Sequence, residues 1–65
     1  MNRPALTEIE SKVVGLIEEG WARWKIAEIL GLGETTVRGI IKRLCERYGC
    51  GMNDLPERTK EDRDG

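Results

Sequence analysis

Histidine is absent from this 65-residue chain, and cysteine occurs only twice, at Cys45 and Cys50. Without imidazole the chain lacks the side chain that most often serves as a general base near neutral pH, and a principal nitrogen ligand of zinc. Two thiolates alone cannot complete a four-ligand zinc site, and five-residue spacing at a helix end suits a disulfide poorly. The reading is therefore reduced thiols, a cytoplasmic setting, no metal and no cofactor. No phosphate loop and no nucleophile with an evident base are present either, so an enzyme is not expected. No apolar run approaches the roughly 18 residues of a membrane span, and Met1 to Ala5 is too short and polar for a secretion signal.

A surplus of charge is also missing. Eleven basic residues against 12 acidic ones give a formal net charge of -1 and a pI near 5.4, whereas an undifferentiated nucleic-acid coat is expected above a pI of about 9. The distribution says more than the sum. Residues 1–50 carry eight basic and seven acidic side chains, and residues 51–65 carry three basic and five acidic. The stretch Glu8 to Glu19 holds four carboxylates and only Lys12, while residues 34–48 hold four cations and two carboxylates. The molecule is thus polarised. A chain this short makes one domain with a thin core, burying only about 60% of its unfolded surface, so a partner or self-association would help.

What is present centres on residues 26–49. A short apolar helix ends at Gly31, the chain turns through Leu32 and Gly33, and a helix begins at Glu34 that is apolar on one face and basic on the other. That pattern reads as a helix-turn-helix. At about 100° per residue, Val37, Ile40, Ile41, Leu44 and Tyr48 fall in one stripe suited to a small core. Thr35, Arg38, Gly39 and Lys42 fall on the other side, open to solvent or a partner. Arg38 and Lys42 lie one turn apart and suit donation to guanine O6 and N7, and the threonines reach a base edge or a phosphate. Gly39 costs roughly 1 kcal/mol against alanine in a helix. It reads either as a point of close backbone approach to a duplex or as a glycine merely tolerated on an open face. Thr36, Arg43 and Arg47 lie along a flank suited to phosphates, or to plain solvation.

Upstream, Thr7-Glu8-Ile9-Glu10 fits a capping box that starts a first helix, with Ile9, Val13, Leu16 and Ile17 on its apolar side and Gly20 as its stop. Ala22 is the expected N-cap of the second helix, with Trp21 folding onto Ile26 as a staple in the core. Trp24 lies about 160° around that helix from Ile26 and is expected to be exposed between Arg23 and Lys25. Two readings follow for it. Either the helix start and the basic pair hold a phosphate while the indole meets sugar or another protein, or the ring is a surface aromatic half covered by the two cationic stems. Cys45 and Cys50 read as small groups packed on the core. Asp54-Leu55-Pro56-Glu57 resembles a further helix start, with Asp54 as its cap and Pro56 in the first turn, but Arg58 onward contains no apolar residue, so that helix is expected to fray for want of anything to bury. The expected organisation is an arm at 1–5, a helix-turn-helix domain at 6–51 and a polar, acidic tail or short helix at 52–65. The fold class is all-α, a small helical bundle whose fourth helix is short or frayed.

From Leu6 to Cys50 the chain resembles the DNA-binding domain of LuxR/GerE-type transcription regulators. The resemblance rests on Leu6-Thr7-Glu8 with Glu10, on Val13, Val14, Leu16 and Ile17, and on Glu19-Gly20. It continues through Lys25-Ile26-Ala27-Glu28, Leu30-Gly31-Leu32, Glu34 with Thr36-Val37-Arg38, and the closing Tyr48-Gly49-Cys50. Region 4 of bacterial sigma factors looks related. The resemblance implies a four-helix domain whose third helix enters the major groove, with Arg38, Gly39 and Lys42 where the family reads bases. It also implies phosphate contacts at Thr36 and the start of the second helix. The chain departs from the family in its fourth helix, where Pro56 and Glu57 replace small or branched apolar residues. Other departures are Gly33 and Ala22 in place of cap serines and Ile40 where histidine is frequent. Starting at Met1 leaves no room for a sensor domain, so the chain resembles the short, domain-only members.

Two functions are expected from all this. The first is a DNA-binding transcription regulator that places residues 34–48 in the major groove of double-stranded DNA, acting as a monomer or weak homodimer. The alternative is a helix-turn-helix fold turned to protein binding, with RNA polymerase, a sigma factor or another regulator as partner and Trp24 as the contact.

Overall fold

The computed structural model describes residues 6–62, so the arm expected at 1–5 lies outside the described residues. The chain forms α1 (Glu8–Glu18), α2 (Arg23–Leu30), α3 (Glu34–Tyr48), a 3₁₀ turn at Met52–Asp54 and a short α4 (Leu55–Arg58), with no strand among the described residues.

Each long helix starts and stops for a local reason. At α1 the Thr7 hydroxyl accepts from the Glu10 N–H at 3.1 Å, and the Glu10 carboxylate accepts from the Thr7 N–H at 3.0 Å, so the capping box is complete. Two orphan amides are thereby satisfied. The starts of α2 and α3 differ, because Ala22 and Gly33 supply no side-chain acceptor. The three helices close in similar ways. After α2, the N–H of Gly31 donates to Glu28 and that of Leu32 to Ala27, the paired bonds of a Schellman motif, with Gly31 at φ 70°. A Cβ there would be strained, which is why glycine occupies the turn. The same pair follows α1, where the Trp21 N–H donates to Leu16 and that of Gly20 to Ile17, while at α3 the Cys50 and Gly49 N–H groups both donate to Cys45.

The core is Leu6, Val13, Val14, Ile17, Ile26, Ala27, Val37, Ile41, Leu44 and Leu55. The stripe expected on α3 is in place, with Val37, Ile41 and Leu44 buried and Ile40 and Tyr48 half-buried against them. Burying each such side chain contributes about 1.5–3 kcal/mol, and that is what holds the three helices together in spite of two uncapped starts.

Four expectations need correction. On α1 the core side is Val13, Val14 and Ile17, while Ile9 is 38% exposed, because the inward direction lies one residue further round than the three-and-four spacing from Ile9 suggested. Trp21 is 41% exposed instead of core. Its Schellman bond commits it to the end of α1, where the residue after the turn characteristically meets the C3 side chain, here Leu16. Its indole Nε1 also donates to Glu19 Oε1 at 3.0 Å. The C-terminal segment is more than a frayed tail: Leu55 is 0% exposed in the core and Thr59 is buried, its hydroxyl donating to the Leu55 carbonyl at 2.7 Å. One leucine and a self-satisfied threonine suffice for a single turn, which places residues up to Thr59 with the domain. The Asp54 cap, finally, makes no side-chain bond. Asp54 ends the 3₁₀ turn with φ -94° and ψ -8°, whereas a capping side chain is aimed from extended backbone.

Candidate nucleic-acid interface

Across the turn at 31–33, α2 and α3 pack closely, and the buried stripe of α3 fixes which residues face away. Taking Val37 as zero, Lys42, Thr35 and Gly39 fall at about 140° to 200°, with Arg38 at about 100° and Arg43 and Thr36 at about 240° to 260°. Thr35, Thr36, Arg38, Lys42 and Arg43 are all exposed, and Gly39 is half-buried. Arg38, Lys42 and Arg43 form no hydrogen bond or ion pair among the described residues. An open cation on a rigid helix, held from behind by core side chains, is poised to donate to an anion or a base edge.

Gly39 gains a sharper meaning. A Cβ at this position would meet nothing within 4 Å, and its φ lies outside the left-handed range. Nothing within the chain calls for glycine there. Gly33 is similar, since a Cβ would meet only Thr36 Oγ1 at 3.9 Å, an ordinary contact.

The second cationic group stands at the start of α2. Arg23 is exposed and has no charged partner among the described residues. Trp24 is 59% exposed, as its helical angle requires. Lys25 is half-buried, lies 5.7 Å from the centroid of the Trp24 ring and pairs with Glu28 at 3.4 Å. The half-covered reading of the indole is in place, since one face receives a cation, and much of the ring stays open. No side chain caps α2; the Lys25 and Ile26 amides donate to the Ala22 carbonyl, which leaves those of Arg23 and Trp24 to meet an anion.

Arg47 departs from the open flank expected of it. It approaches Glu10 of α1 at 4.0 Å and lies 5.7 Å from the Tyr48 ring. A half-exposed pair of this kind contributes about 1 kcal/mol at most and yields readily to a phosphate. Sequence reasoning also passed over Glu46, which falls at about 180° on the same wheel, between Lys42 and Gly39. It is exposed and, with Glu10, Arg43, Leu44 and Arg47, lines a groove of about 360 Å³ between α1 and α3. Its spacing of four residues from Lys42 could have revealed it. The positive character of α3 therefore lies in its N-terminal two-thirds and falls off toward the C-terminal end.

At that end the Tyr48 hydroxyl donates to Asp62, fastening the C-terminal segment to α3. Burial raises the Tyr48 pKa above its ordinary value, helped by this hydrogen bond and by the Asp62 charge, with Arg47 opposing. Burial also pushes the Cys45 thiol up, with Cys50 and Glu46 adding to it. Cys45 is thus a packed thiol held in its neutral form, and both cysteines are free. No cluster of three or more metal-ligating side chains occurs among the described residues, and no helix there is long and apolar enough to cross a membrane. No family model, curated protein or solved structure matches the chain.

Proposed function

We propose that this chain is a DNA-binding transcription regulator, acting in the cytoplasm, that lays α3 in the major groove with Arg38, Lys42, Thr35 and Gly39 toward the bases. The observation that carries the reading is the pair Arg38 and Lys42, exposed and without ion-pair partners among the described residues, on the part of α3 outside the buried stripe of Val37, Ile41 and Leu44. Three further features support it. The turn at 31–33 joins two packed helices in the manner of a helix-turn-helix. Thr36, Arg43 and Arg23 border the same surface and suit phosphates, with Lys25 and Arg47 joining once their weak pairs release. The resemblance to LuxR/GerE-type domains over Leu6–Cys50 points to the same face.

The test is footprinting on genomic fragments followed by titration of a selected duplex. Arg38→Ala and Lys42→Ala should each cost about 1–3 kcal/mol of affinity for the selected site, with melting temperature unchanged. Unchanged affinity in both variants overturns the proposal.

Exposed Trp24 favours a second reading, in which the same fold binds a protein of the transcription machinery, such as RNA polymerase, a sigma factor or another regulator. Salt discriminates between the two. DNA binding must weaken steeply with ionic strength as counterions are released, whereas a Trp-centred protein contact is largely salt-insensitive and is lost on Trp24→Ala but kept on Arg38→Ala.

A further inference from the structure

On α1 and α2, away from the cations of α3, lies an open groove of about 370 Å³ lined by Lys12, Gly15, Leu16, Glu19, Ile29 and Leu30. Its floor is apolar, and one of the exposed large apolar side chains, Ile29, lines it. Ile29, in its wall, is 46% exposed, and Trp21, 41% exposed, is hydrogen-bonded to Glu19 on the rim. Ile9, 38% exposed, falls only about 20° from Leu16 around α1 and continues the strip. Gly15 stands in the middle of α1, where a Cβ would meet nothing within 4 Å and no left-handed φ demands glycine. A residue that weakens a helix interior thus sits where a neighbouring backbone could approach most closely.

The charges on the rim identify the neighbour. Lys12 and Glu19 share one face of α1 with Gly15 and Leu16 and are equally distant from the midpoint between those two. They lie about 10.5 Å apart along the axis. A two-fold axis through that midpoint sets a second α1 antiparallel to the first, bringing each Lys12 to the other copy's Glu19. No other chemistry is needed, because the patch is complementary to itself, as an isologous contact requires. We infer that the groove is a self-association site in which two copies of this chain pack α1 against α1 across Gly15, with Ile29 and Leu16 covered and two Lys12–Glu19 pairs closing the ends. Lys12 already pairs with Glu8 at 3.7 Å in a mostly exposed contact that the second copy's Glu19 can share. Neither Arg38 nor Lys42 of α3 lines the groove, so both remain open in the dimer.

The experiment is sedimentation equilibrium of the full chain without DNA, up to millimolar concentration, so its outcome does not depend on the DNA reading. Reversible dimerisation is expected. Lys12→Glu and Glu19→Lys should each weaken it by roughly tenfold or more, since like charges then meet twice per dimer. The double variant Lys12→Glu/Glu19→Lys should recover most of the loss, which no other occupant of the groove would produce. Gly15→Gln should abolish dimerisation while raising the melting temperature, so the loss cannot be assigned to misfolding. The double variant Arg38→Ala/Lys42→Ala should dimerise like the parent even where DNA binding is gone. A chain that stays monomeric at millimolar concentration, a dimer indifferent to Gly15→Gln, or single reversals that the double variant fails to rescue would each overturn the inference.

Discussion

The outward side of α1 and the outward side of α3 are built on opposite terms. On α1 the start is closed by a complete capping box, and the carboxylates Glu8 and Glu10 pair with Lys12 and Arg47. On α3 the start is capped only by a glycine, another glycine interrupts the middle, and Arg38, Lys42 and Arg43 have no charged partner among the described residues. The first side satisfies its own polar groups; the second leaves them for something else. In a domain this small, an uncapped start and an open glycine together forgo a sizeable share of a total stability of only several kcal/mol. An open glycine is common to both sides, at Gly15 and Gly39, so what sets α3 apart is its uncapped start and its unpaired cations, the features the proposed DNA reading uses.

The comparison can be broken outright by removing what both helices lean on. Leu55, 0% exposed, packs in a short helix that contacts α1 and α3. Leu55→Ala should cost about 2–5 kcal/mol, enough to unfold a large fraction of a domain of this size. Urea denaturation checks this, and a midpoint close to the parent's would return the C-terminal segment to the status of a tail. On the α1 side alone, Thr7→Ala should cost about 1 kcal/mol through loss of the capping box. Duplex affinity, measured well below the melting temperature, should not change.

On the α3 side the sign reverses. Gly39→Ala should raise stability by up to about 1 kcal/mol, because the helix gains propensity and the new Cβ meets nothing. Duplex affinity should fall if, as proposed, the backbone at Gly39 approaches the groove, because the methyl group would then intrude. Higher stability with undiminished affinity would show that Gly39 is simply tolerated.

The smallest effect concerns the fastening of Tyr48 to Asp62. The folded pKa of Tyr48 is raised by burial, then by its bond to Asp62. Its contribution is accordingly complete below the ordinary tyrosine pKa of about 10 and is lost as pH climbs through the raised folded value. Thermal melts between pH 9 and 11 should show a modest decline that Tyr48→Phe removes. An identical decline in that variant would assign the effect to other groups.

Much of this contrast was already written in the order of residues. Thr7 and Glu10 specify a box because the partners are three residues apart. Gly31 and Gly49 specify stops because only glycine enters the left-handed turn without strain. The exposure of Trp24 and the outward direction of Arg38 and Lys42 follow from a fixed angle per residue once one stripe is apolar. These are all short-range statements, set by the geometry of a single helix, and the all-helical architecture follows from them.

What the order of residues could not fix was decided where separate helices meet. Ile9 and Trp21 are as apolar as their buried neighbours, and only the angle at which α1 and α2 pack leaves them exposed. Glu10 and Arg47 are 37 positions apart in the chain and come together only through the fold. In its own segment Leu55 had only Met52 as a core companion; the rest of what covers it comes from α1 and α3. Local periodicity determines which face of each helix turns inward to within a residue or so. The mutual placement of helices depends on summed contacts among side chains distant in sequence, and that sum exists only in the folded molecule.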